Sequence, residues 1–171
     1  MLANEALEQH RREHKNQKRF LGFSTKRHVE TIADLVAMHQ PSTLLDFGCG
    51  KGMQYLKTRV HDDWMGILPA CYDPCVPALT ELPEGIFGGV ICIDVLEHIG
   101  EDAIDETLET IFSKADLFIF LSISISESRK TLSNGKNCHV TIKDPQWWDS
   151  KIELLKLKYD KIDVTVKYMD Y

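Results

Sequence analysis

Between residues 44 and 55 the chain reads Leu44-Leu45-Asp46-Phe47-Gly48-Cys49-Gly50-Lys51-Gly52-Met53-Gln54-Tyr55. A short apolar run ends in an acid, and three alternating glycines then lead into a helix. No other segment restricts the fold so tightly. Without Cβ atoms at positions 48, 50 and 52 the backbone can turn sharply, and a ligand can lie against main-chain N–H groups. The bland alternative is a tight strand–helix turn with Asp46 as a cap.

Spacing separates three kinds of glycine loop. A nucleoside-triphosphate loop needs a glycine five places before the Gly-Lys pair and a Ser or Thr after it, but Leu45 and Gly52 hold those places. A dinucleotide loop wants its third glycine where Met53 stands. A carboxylate two residues before the first glycine would also repel a pyrophosphate. It favours a cation, and S-adenosylmethionine, with its ammonium and sulfonium, is chemically matched to Asp46 and the Gly48, Gly50 and Gly52 backbone.

The 171 residues suffice for one domain with a real core. Their charged (27%) and apolar (43%) fractions are those of an ordinary globular protein, and no apolar run is long enough for a membrane span. The opening Met1-Leu2-Ala3-Asn4-Glu5 lacks the basic-then-apolar pattern of a secretory signal, so a cytoplasmic location is expected. Five cysteines (49, 71, 75, 92 and 138) without a Cys-x-x-Cys pair fit reduced thiols and give no reason to expect a structural zinc. The net charge of −6 argues against a protein built to hold nucleic acid. Residues 1–30 carry seven Lys/Arg and four Asp/Glu, a local +3 better explained by a solvated surface helix than by an RNA grip.

Residues 1–23 are expected to form a polar helical segment placed to act as a lid over the cofactor, with residues 24–171 as a single domain. Ser24 is expected to cap a helix to His39 whose inner face is Val29, Ile32, Ala33 and Val36. Pro41 stops it. Strand Thr43 to Phe47, a helix from Met53 to Arg59 and a weak strand, Ala70 to Tyr72, follow. Pro74, Pro77 and Pro83 make residues 74–88 irregular. A buried strand runs from Gly89 to Asp94, a helix from Glu101 to Phe112, a central strand from Leu117 to Ser122, a helix from Pro145 to Lys156 and a half-buried strand from Ile162 to Tyr168. Such alternation implies an α/β, Rossmann-like fold: a mostly parallel sheet with helices on both faces and its ligand at the carboxyl ends of the strands.

Leu44 to Tyr55, with Gly89-Val90-Ile91-Cys92-Ile93-Asp94-Val95-Leu96-Glu97-His98-Ile99, resembles the paired signatures of the class I S-adenosylmethionine-dependent methyltransferases, particularly the small-molecule branch with Asp-Val-Leu-Glu-His after the fourth strand. The resemblance covers residues 24–157. It implies that Asp46, Gly48, Cys49, Gly50 and Gly52 meet the amino-acid end and ribose of S-adenosylmethionine, that Asp73, beside Tyr72, takes the ribose hydroxyls, and that Asp94 and Val95 complete the cofactor site. A carboxylate offers two acceptor oxygens to two hydroxyl donors; the competing reading of Asp73 is a turn acid before Pro74. The chain departs from the family in the proline-interrupted stretch 74–88, where a third strand is reduced and adenine contacts stay unassigned. No final antiparallel strand is expected, so either a smaller sheet or a homo-oligomeric partner is implied.

The resemblance implies methyl transfer to a small-molecule acceptor, a hydroxyl for which His98 and His139 are the candidate bases. Their competing roles are fixing a helix start and decorating a polar loop. Glu97, His98 and His139 are too scattered along the chain to suggest a metal site. Two other classes stay open: a protein that binds S-adenosylmethionine without turnover or supports another enzyme, and a nucleic-acid methyltransferase. Against the latter, no Asn-Pro-Pro-Tyr or Asp-Pro-Pro-Tyr element follows the fourth strand.

Overall fold

Strands made of near-continuous apolar residues need helices on both sides, and the computed structural model, which describes residues 3–170, has that arrangement. Its strands are β1 (Leu44–Phe47), β2 (Ala70–Tyr72), β3 (Phe87–Ile93), β4 (Ala115–Ser124) and β5 (Asp163–Met169). Its helices are α1 (Ala3–His14), α2 (Val29–His39), α3 (Met53–Lys57), α4 (Ile104–Ser113) and α5 (Pro145–Lys158). Every strand pair is parallel, in the order β2-β1-β3-β4-β5, which makes an open α/β sheet. No antiparallel strand joins it among the described residues, and residues 74–86 carry none. The strand that the resembled family counts fourth is therefore β3.

Side-chain alternation along the strands distributes the core. Leu45 and Phe47 of β1, Val90 and Cys92 of β3, and Ile119 and Leu121 of β4 pack with Leu108 and Phe112 of α4 and Trp148 and Ile152 of α5. Leu44, Ile91, Ile93, Phe118 and Phe120 face the other way, against Ile32 and Val36 of α2, Tyr55 of α3 and Trp64. Asp46 shares the parity of Leu44, so its carboxylate emerges on the α3 side.

Several boundaries differ from expectation: β3 begins at Phe87, inside the stretch expected to be irregular, and β4 runs from Ala115 to Ser124. Ser24 caps nothing: residues 23–28 form a 3₁₀ turn entered at Gly22, and α2 begins only at Val29 without a side-chain cap. The helix after the glycine loop ends at Lys57, because Arg59 takes a left-handed φ of 47° before a second short turn. Residues 101–103 are 3₁₀, so α4 starts at Ile104. By contrast, Pro145 opens α5 as read, with the Asp144 carboxylate accepting from Trp147 N at 2.8 Å.

The connection leaving β1 runs to β2 on one side, and the next passes back across β1 to β3 on the other. This reversal opens a crevice at the carboxyl ends of β1 and β3, the usual ligand position in open parallel sheets. No helix among the described residues is long and apolar enough to cross a membrane.

Candidate functional site

A cavity of about 510 Å³ occupies that crevice, within the range of small-molecule sites, roughly 300–1,000 Å³. Its floor is Asp46 to Gly50, Tyr72, Asp73, Asp94 and Val95, and α1 closes it with Leu7, His10 and His14. The amino-terminal segment thus walls the site in this structure, held there by Lys51 N to Phe20 O (3.0 Å), Met53 N to Leu21 O (3.0 Å) and Lys51 Nζ to the carbonyls of Asn16 and Arg19.

Each glycine in the loop has its own reason. At Gly48, φ is +84° and a Cβ would lie 2.3 Å from Val95 Cγ2; at Gly50, φ is +59° and a Cβ would meet Phe20 O at 2.6 Å. Gly52 does not reach the cavity: it is the left-handed residue before α3, and the nearest atom to its absent Cβ is Cys71 Sγ at 4.0 Å.

The expectation that a ligand lies against free loop N–H groups is overturned. Gly48 N and Cys49 N both donate to Tyr72 O (2.7 and 3.1 Å), Gly50 N donates to Asp73 Oδ2 (2.9 Å), and Gly52 N donates to Cys49 O (3.3 Å). With Lys51 N donating to Phe20 O and Met53 N to Leu21 O, every N–H from 48 to 53 has an acceptor within the protein. A loop whose donors are spent cannot grip a phosphate. What it offers a ligand is acceptors.

Asp46 is the chief of these. Its carboxylate is 2% exposed and its Oδ2 accepts from Tyr55 OH (2.7 Å) and Gln54 Nε2 (3.1 Å). Burial pushes its pKa up to about 7 from the ordinary 3.8, weakening it as an acid against the pull of those two donors. Asp73 is also buried. Its Oδ2 takes the Gly50 N–H and its Oδ1 the Cys75 N–H at 2.8 Å, so it ties the glycine loop to β2 while still lining the cavity. Burial raises its pKa too, and those backbone donors oppose the rise.

Tyr72 serves through its carbonyl, while the buried Cys49 thiol donates to Gly50 O. Asp94, at φ +54°, accepts from Ser122 Oγ at 3.1 Å and pairs with Arg27. The strand end therefore holds an acid in a left-handed turn, which Asp tolerates better than most residues.

A second cavity of about 570 Å³ adjoins the first and shares Phe20, Gly22, Ser24, Asp94 and His98 with it. His139 lines only this one, with Lys18, Arg27, Arg129 and Lys130 giving its wall a positive excess over Asp94 and Glu127. His98 and His139 lie edge to face with ring centroids 4.9 Å apart. Burial, then the neighbouring His10 and His139, drives the His98 imidazole well below its usual range, and burial lowers His139. Both are neutral near pH 7 and weak as bases.

Sequence reasoning expected a helical segment over the site but did not name the histidines by which α1 lines it. His10 and His14 stand one helical turn apart, a spacing that puts both on one face, and burial brings each down to about 4. Of the apolar residues that line the first cavity, Val95 was named from the sequence, whereas Leu7, Pro74 and Ile99 were not. Glu97, distant from His139 in sequence, is brought beside it. One ligand atom from each of Glu97, His98 and His139 lies within 4.8 Å of the others. No protein-family model, curated protein or solved structure matches the chain.

Proposed function

We propose that this chain is an S-adenosylmethionine-dependent methyltransferase acting on a small-molecule hydroxyl, with the cofactor in the cavity at β1–β3 and the acceptor in the adjoining one. The observation that carries this reading is a glycine loop without free donors beside a buried, nearly neutral Asp46. Such a site rejects anions and rewards a cation, which restores the charge of a carboxylate that burial has suppressed. The cavity fits the rest of the molecule as well. Asp73 retains lone pairs for ribose hydroxyls, since a carboxylate can accept about four hydrogen bonds, and Pro74, Val95 and Ile99 form an apolar wall for adenine.

S-adenosylmethionine, when bound, supplies a sulfonium-activated methyl group. The protein's part is positioning and exclusion of water. Asp46 holds the ammonium end, Asp73 and the loop fix the ribose end, and α1 covers the cavity. Alignment of donor and acceptor can remove several kcal/mol of the barrier without a strong base, as is suitable where both nearby imidazoles are weakly basic. The acceptor oxygen gains the methyl group and loses its proton, leaving S-adenosylhomocysteine.

The test is calorimetric titration with S-adenosylhomocysteine, followed by its release from S-adenosylmethionine in pooled hydroxyl acceptors. Saturable binding and acceptor-dependent release are expected. Binding without release would reduce the protein to a cofactor-binding or supporting subunit. Absence of binding at millimolar ligand would end the reading.

A further inference from the structure

The turn after β3 and the stretch leading to α5 are locked together at Glu97. Its carbonyl accepts from both Val140 N (2.8 Å) and Thr141 N (3.1 Å), which fixes His139 next to the 96–98 turn. The Glu97 carboxylate is fully buried. Its Oε1 accepts from Ser124 N at 3.1 Å, and its Oε2 has no hydrogen-bond partner. An unpaired carboxylate oxygen in the interior costs several kcal/mol unless a proton or a cation meets it.

Both imidazoles are set in the tautomer that a cation needs. His98 Nδ1 faces Cys138 O at 2.9 Å, and His139 Nδ1 faces Ser126 O at 2.6 Å. A ring nitrogen against a carbonyl oxygen must carry the proton, so in each ring Nε2 keeps its lone pair. Backbone carbonyls holding the far nitrogen are the usual support for metal-ligating histidines. With one ligand atom of each residue within 4.8 Å of the others, the three groups can converge on one ion. We propose that Glu97, His98 and His139 bind a divalent transition-metal ion, two imidazoles and one carboxylate, at the boundary between the two cavities.

Two other groupings compete less well. His10, His98 and Cys138, and His14, Asp73 and Cys75, also bring ligand atoms together. Each relies on a cysteine thiol, and neither contains a buried carboxylate oxygen left without a hydrogen-bond partner. Only the Glu97 group combines a carboxylate with an orphaned oxygen and two neutral imidazoles, a set that matches the two-histidine, one-carboxylate pattern with open coordination positions. His98 lines both cavities and His139 the second, so those positions lie within reach of an acceptor. If the methyltransferase reading holds, the ion would polarise the acceptor hydroxyl and ease loss of its proton, work for which the weakly basic imidazoles are poorly suited.

Chelator-treated full-length protein titrated with ZnCl2, and separately with MnCl2 read by electron paramagnetic resonance, tests the site without reference to catalysis. One equivalent per chain is expected. Glu97→Gln and His139→Ala should each weaken it on the order of 100-fold or more, since even supporting residues of metal sites are worth about 10–100-fold. Cys138→Ser, which keeps the backbone carbonyl, should leave affinity unchanged. Near-UV circular dichroism checks folding of each variant, and the unsubstituted protein decides alone if both variants unfold. No saturable binding of either ion at millimolar concentration overturns the proposal, as does loss of binding in Cys138→Ser with retention in Glu97→Gln. S-adenosylhomocysteine binding is measured on the same samples, so a failed metal site and a failed cofactor site are told apart.

Discussion

Replacing Asp46 with Asn probes the feature on which the proposed preference for a cationic cofactor depends. In the free protein the Asp46 pKa stands at about 7 against an ordinary 3.8. At 1.36 kcal/mol per tenfold change, that gap amounts to about 4 kcal/mol held against the ionised form. A cation bound beside the carboxylate recovers part of this, and the recovery has a thermodynamic signature. Near pH 6, where roughly nine in ten Asp46 side chains would be protonated, binding of S-adenosylhomocysteine through its ammonium should expel close to one proton per molecule bound. The expelled proton falls away as pH rises through 7. Titration calorimetry in two buffers of different ionisation enthalpy measures it directly. Asp46→Asn keeps the shape and the acceptor for Tyr55 OH. It should abolish proton release and weaken binding by about 1.5–3 kcal/mol, the worth of a charged hydrogen-bond partner. Binding with no proton release near pH 6 in the parent protein, or unchanged affinity in Asp46→Asn, would refute the assignment of Asp46 to a cationic ligand.

Two further outcomes concern the scaffold around the site. Gly48→Ala places a Cβ 2.3 Å from Val95 Cγ2 at a φ of +84°, so it should cost about 2–5 kcal/mol, combining left-handed strain of about 1–2 with overpacking of about 1–3; thermal melting of Gly48→Ala and of Gly48→Ala with Val95→Ala should show the second substitution restoring only the packing share. For His14, whose pKa burial lowers to about 4 from 6.5 in the folded state, the folded form stays neutral while the unfolded chain takes up a proton. Its contribution is therefore complete above about pH 6.5 and is lost as pH falls towards 4, up to about 3 kcal/mol. Denaturant melts of His14→Gln should lose less stability over that window than the parent, and parallel losses would remove the assignment.

The glycine loop, the acid at each of three strand ends and the alternation of strands with helices were all legible from local chemistry. Asp46, Asp73 and Asp94 each directly follow or close a run of apolar residues, and a parallel sheet necessarily collects such residues along one edge. What local pattern could not convey was where the hydrogen-bond donors of the loop would go. Those donors are spent on Tyr72 O, Asp73 and the backbone of residues 20–21, partners that become neighbours only when β2 and the amino-terminal segment pack against β1. Ser24 looked like a cap because its residue type suits one. The segment instead turns at Gly22, where a Cβ would strike Gln54 Oε1 at 2.0 Å, and a tertiary contact therefore outweighs local propensity.

By itself the sequence determined the α/β fold class and set a carboxylate beside a glycine loop, because periodicity, glycine conformation and residue type are properties of short segments. Tertiary structure alone decided which residues of α1 wall the cavity, that Asp46 is buried far enough to lose much of its acidity, and that Glu97 and His139 come together. Each of those depends on which atoms exclude water from a group, and solvent exclusion is settled only when segments distant in the chain are packed around it.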